Sequence, residues 1–110
     1  MKTDEAIVVL VTAGSADEAG RIGNALVAER LAACVNVVGP IRSIYRWEGK
    51  VEDAEEWLLV VKGRRADVPA LDARVRALHS YDVPEVLALP VYGGSAAYLA
   101  WLDEATRRDG

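Results

Sequence analysis

The first apolar segment, Ala6-Ile7-Val8-Val9-Leu10-Val11-Thr12-Ala13, is continuous and β-branched. That pattern suits a strand covered on both faces. Gly14-Ser15 breaks it, and Ser15 with Glu18 three residues later forms a capping-box pattern. A helix is predicted from there to about Ala32. Ala19, Ile22, Ala25, Leu26 and Leu31 supply its buried side, and Glu18, Arg21, Glu29 and Arg30 the wet one. From Cys34 to Trp47 the chain reads as extended. Gly39-Pro40 interrupts it with a predicted bulge or bend, because proline cannot donate to a ladder. Beyond the interruption Ile41, Ser43, Tyr45 and Trp47 share one side. Glu48-Gly49-Lys50 is a turn, and a second extended arm covers 51–62, ending in Trp57-Leu58-Leu59-Val60-Val61.

Asp67 and Pro69 mark the next helix start. Leu71, Val75 and Leu78 form its apolar stripe. His79-Ser80-Tyr81-Asp82 is read as a loop, and Val83-Pro84 prevents helix from continuing. A fourth strand is predicted over 85–91. Gly93-Gly94-Ser95 then opens a last helix carrying Tyr98, Leu99, Trp101 and Leu102. The order β-α-β-β-α-β plus a terminal helix is an α+β, ferredoxin-like split βαβ plan with strand order 4-1-3-2. A single domain spans 1–110.

The central hairpin is too long for that plan. Each arm extends ~40 Å at the usual strand rise, whereas a compact domain of this length has a radius of gyration of only ~13 Å. The distal half must project or wrap back on its own sheet, and it carries Ile44, Tyr45 and Trp47, with Trp57 further along the return arm. An exposed aromatic ribbon is an aggregation hazard. A neighbouring subunit covering Tyr45, Trp47 and Trp57 resolves it, and Trp47 is expected to be buried against another chain.

Composition narrows the function. The chain has 110 residues, 52% hydrophobic and 27% charged, with a net charge of −4. Its balance does not favour nucleic acid. No apolar run approaches the ~18 residues of a membrane helix, and the start lacks the features of a secretory leader. With one cysteine there is no intramolecular disulfide. A cytoplasmic setting, free of membrane and nucleic-acid partners, is expected. Cys34 and His79 are the candidate soft or borderline metal ligands, and no HxxxH, CxxC or HExxH spacing accompanies them. Each also has an ordinary structural role: Cys34 as a small buried residue, His79 as a helix C-terminal cap. Gly93-Gly94-Ser95 reads as a simple N-cap rather than a phosphate loop. The acidic run Glu48, Glu52, Asp53, Glu55, Glu56 reads as a solvated ribbon.

Five segments in order are similar to one family. Ala28-Glu29-Arg30-Leu31-Ala32-Ala33-Cys34-Val35-Asn36-Val37 resembles the first signature of the CutA divalent-cation tolerance family. Ser43-Ile44-Tyr45-Arg46-Trp47-Glu48-Gly49-Lys50 resembles its hairpin tip, and Glu56-Trp57-Leu58-Leu59-Val60-Val61-Lys62 its E-x-x-L-x-x-K segment. His79-Ser80-Tyr81-Asp82-Val83-Pro84-Glu85-Val86 and Tyr98-Leu99-Ala100-Trp101-Leu102 match two more. The resemblance implies a ferredoxin-like subunit in a tight homotrimer akin to the PII signalling proteins. It also implies a link to tolerance of divalent metals, with copper foremost. Cys34 and His79 match the family's cysteine and histidine positions. The first strand has no cysteine, which weakens clustered-thiolate Cu(I) binding. Strand order 4-1-3-2 puts strands 2 and 4 on opposite edges, so Cys34 and His79 of one subunit are expected to be too far apart for one ion. Any binding of Cu(II) or another divalent metal is therefore expected to be weak, through His79 or surface carboxylates. The alternative is a PII-like small-ligand sensor with clefts between subunits, for which Trp47, Lys62 and Tyr81 are the candidates toward an anionic or aromatic ligand. An acylphosphatase-like enzyme needs an arginine after the first strand. Thr12-Ala13-Gly14-Ser15-Ala16 has none, so no enzyme is expected.

Overall fold

The computed structural model describes residues 1–108. Its strands are β1 (Ala6–Ala13), β2 (Cys34–Trp47), β3 (Lys50–Arg64) and β4 (Val86–Pro90). Its α-helices are α1 (Ala16–Ala28), α2 (Val68–Leu78) and α3 (Ala96–Ala105). The sheet runs β2-β3-β1-β4, all antiparallel, which is the predicted order seen from the other edge. The pairing slips between Val38 and Ile41, where the Gly39-Pro40 bulge was expected; the peptide bond there is cis.

Alternation sorts the sheet into two faces. Ile7, Val9, Val11, Leu59 and Val61 point to one side and pack with Ile22, Leu26, Leu71 and Val75 of α1 and α2 into the main core. Val8, Leu10, Leu58, Val60, Leu87, Leu89 and Val38 occupy the opposite positions. That second face is apolar yet open: Leu87 is 58% exposed and Val38 48%. Only its end is covered, where Leu99 and Leu102 of α3 close on Ala6 and Ala33.

Helix α1 ends four residues before the predicted Ala32. Arg30 takes a left-handed φ of 59°. Its N–H returns to the Val27 carbonyl, and the Leu31 N–H to that of Leu26. This is a Schellman closure with arginine where glycine is usual, so composition does not advertise it. Leu31 is buried by packing beyond the helix rather than on it. At the start of α2, Asp67 stands at the N-cap position but does not cap. Its carboxylate instead accepts from Arg108 at 2.6 and 3.0 Å.

The hairpin does project. β1 pairs with β3 only over Trp57–Arg64, so beyond Glu56 the two arms have only each other. The chain measures 43 × 27 × 22 Å with a radius of gyration of 14.5 Å. Trp57, expected on the return arm and covered by a neighbouring subunit, lies within the sheet opposite Ala13. It packs against the main core of its own chain, and its indole lies across Gly39.

Candidate functional site

A cavity of about 710 Å³ opens where the ribbon leaves the sheet. The ribbon supplies Ser43, Tyr45 and Trp47, β3 supplies Glu56, the end of β1 supplies Thr12, and the loop after α2 supplies Tyr81, Asp82, Pro84 and Glu85. Each piece is placed by a traceable interaction. The His79 side chain is wholly buried and ties the loop to β1. Its Nδ1 accepts from the Tyr81 N–H at 3.0 Å, so Nε2 carries the proton and donates to the Thr12 carbonyl at 2.7 Å. The Tyr81 ring stacks obliquely on this imidazole, 4.6 Å between centroids. It passes over Gly14, where a Cβ would lie 3.0 Å from the phenol oxygen. Its hydroxyl donates to Glu56 Oε2 at 2.9 Å.

Glu18 holds the loop from behind. Ser15 Oγ accepts from the Glu18 N–H at 3.1 Å, as the capping pattern requires. The Glu18 carboxylate does not reach back to Ser15. It accepts from the Ser80 N–H at 2.8 Å and the Gly14 N–H at 3.3 Å. Burial pulls its pKa up, but the bonds from Ser80 and Gly14 and the nearby His79 outweigh this, leaving it below the ordinary 4.5. The unfolded chain therefore takes up this proton first. The stabilisation is present above about pH 4.5 and is lost as pH falls through the lowered folded value. Glu18→Gln should lower stability at neutral pH by about 2 kcal/mol and flatten the acid limb of a urea-midpoint-against-pH curve. An unchanged acid limb would remove Glu18 from this role.

The wall is acidic. Burial, then the charge of Glu56, raises the Glu85 carboxyl above its usual range. Burial, then the bond to Glu56, pushes the Tyr81 phenol up to about 12, so it remains a donor at neutral pH. No lysine or arginine lines the cavity. Of the three candidates for a cleft between subunits, Trp47 and Tyr81 line this cavity within one chain, and Lys62 of the same chain lies elsewhere. Lys62 pairs with Cys34 across β2 and β3, and its ammonium contacts Asn36 Oδ1. Six residues of strand, ~20 Å, separate it from Glu56. Glu85 carries no role in the sequence reading, and Glu56, read there as part of a solvated acidic ribbon, is instead buried at 6% exposure. The available signal was a carboxylate directly before the apolar run 57–61.

Cys34 and His79 are not brought together within the chain. Cys34 aligns with Lys62 and Val8, whereas His79 holds Thr12. Four residues of rise and two strand spacings put those sheet positions ~16 Å apart. Both ring nitrogens of His79 are engaged, and the Cys34 thiol lies 3.7 Å from Asn36 Oδ1. Among the described residues no three His, Cys, Asp or Glu side chains are gathered to hold a metal ion. Tyr45 and Trp47 are 43% and 49% exposed on the protomer.

An antiparallel βαββαβ sheet with a projecting ribbon and a terminal helix matches one family throughout. Residues 7–105 match the family described as CutA1 divalent ion tolerance protein, and the chain belongs to it. It is 52% identical over 99 residues to the divalent-cation tolerance protein CutA of Thermus thermophilus, covering 90% of this chain and 96% of that one. It is 49% identical over 106 residues to the chloroplastic protein CutA of Arabidopsis thaliana, covering 96% of this chain. It spans only 58% and 59% of the Arabidopsis and rice relatives. Among solved structures, CutA1 from Oryza sativa superposes with a TM-score of 0.92 at 47% identity, over 97% of this chain and 98% of that one. The Thermus thermophilus protein gives 0.90 at 51% identity, over 93% and 99%.

Proposed function

We propose that the protein acts as a non-catalytic homotrimer in the cellular response to divalent metal ions, in a reducing cytoplasm. The observation that carries the assembly is the open face of the sheet. Val8, Leu10, Leu58, Val60, Leu87 and Leu89 form a contiguous apolar surface on the side away from α1 and α2. A surface of this kind on a soluble protein marks an interface. The unpaired ribbon adds edges that a neighbour would cover. The role in metal response follows from membership of a family named for divalent-ion tolerance. Copper, where it binds, binds weakly through exposed donors, because the engaged His79 and the distant Cys34 do not form a joint centre within one chain.

A second reading, a PII-like ligand-sensing trimer, is favoured by the cavity with its aromatic wall. Light scattering should give three subunit masses, and titration calorimetry with Cu(II) should show no submicromolar site. A stable monomer at micromolar concentration would remove the assembly. A tight copper site lost on Cys34→Ser would replace the weak-binding account with a dedicated centre.

A further inference from the structure

Among the described residues three carboxylates are buried: Glu18, Glu56 and Asp67. Two have evident compensation. Glu18 accepts from two backbone N–H groups, and Asp67 holds the Arg108 guanidinium. Glu56, only 6% exposed, has the neutral Tyr81 hydroxyl on Oε2. Among the described residues no side-chain cation pairs with it. No described buried polar side-chain atom lacks a partner, so the remaining Glu56 oxygen is open to the cavity rather than sealed in the core. Glu85 lines the same cavity, and among the described residues no side-chain cation pairs with it. Burying a carboxylate is costly unless a positive charge or several donors meet it. The missing complement is a cation.

The walls say which kind. A bare metal ion would need several gathered hard donors, and the described residues gather no three. The volume, about 710 Å³, is that of a small-molecule site. Tyr45, Trp47 and Tyr81 contribute aromatic surface to it, and such rings attract an organic cation while accepting its carbon framework. An anionic ligand would meet Glu56, Asp82 and Glu85 with no lysine or arginine in the lining.

We propose that this cavity binds a small organic cation, an ammonium or guanidinium compound, with its charge between Glu56 and Glu85 and its carbon skeleton against Tyr45 and Trp47. The proposal rests on the ligand-sensing reading and specifies its substrate class.

The test is calorimetric titration of the assembled protein with choline, n-butylammonium and guanidinium as probes. The neutral choline isostere 3,3-dimethylbutanol and ATP serve as controls. At least one cation should bind, about tenfold or more tightly than the neutral isostere. Glu85→Gln and Trp47→Leu should each weaken it by about tenfold, while Cys34→Ser should not. Thermal melts establish that each variant is folded. Glu85→Gln keeps the shape and removes the charge, so it remains informative if Glu56→Gln fails to fold. Equal binding of the neutral isostere, or unchanged cation affinity in Glu85→Gln, overturns the proposal. Binding of ATP alone overturns it while leaving the ligand-sensing reading in place. Failure of every probe on folded protein rejects the proposed cation class.

Discussion

Gly39→Ala should destabilise the protein by about 3 kcal/mol, the scale of a steric insertion into a packed site. A Cβ at Gly39 would lie 2.6 Å from Trp57 Cγ and 2.7 Å from its Nε1. These are ring atoms, and the indole cannot swing away because it packs against the main core. The position therefore requires glycine for space, whatever its backbone torsions. Urea unfolding of Gly39→Ala measures the loss, and adding Trp57→Leu should restore part of it. If Gly39→Ala unfolds at the wild-type midpoint, the indole does not lie across this residue and the base of the ribbon is packed differently.

His79→Ala should cost about 3 kcal/mol without any metal present, from a vacated buried site and two lost hydrogen bonds. The side chain has no exposed area, and its removal strands the Tyr81 N–H and the Thr12 carbonyl together. The measurement is metal-free urea unfolding with chelator, paired with a Cu(II) titration of the same variant. Wild-type stability combined with a collapse of copper affinity would make the imidazole a metal ligand and reverse the structural assignment.

Much of this arrangement was legible from local chemistry. The continuous run 6–13 became the sheet's buried β1, Gly39-Pro40 became the register slip, and Ser95 capped α3 through the Tyr98 N–H. The elements that escaped depend on distant partners or on an unusual residue. Arg30 closes α1 in a conformation that glycine normally announces. The Glu18 carboxylate was expected at its own helix start, but its stronger bond comes from Ser80, 62 residues away. Trp57 is read on the return arm as a residue for a neighbour to cover, whereas its pairing with Ala13 turns it toward the core of its own chain. Within one chain the strand register separates Lys62 from Trp47 and Tyr81, so a site holding all three needs residues of two subunits. The cavity's acidic character follows from the same register, which places Glu56 at the point where β1 stops covering β3.

The Arg108 guanidinium spans two helix ends. One nitrogen donates to the Arg30 carbonyl at 2.8 Å, in the closure of α1, and the group also grips Asp67 at the entrance to α2. Fraying of the segment after α3 is consequently not a local event. Releasing this one side chain removes a contact shared by the turn that feeds β2 and the turn that feeds α2. In the language of partial unfolding, three stretches distant in sequence belong to one cooperative unit. Protection against amide exchange at the α1 closure then reports on the Arg108 contacts as well as on its own hydrogen bonds.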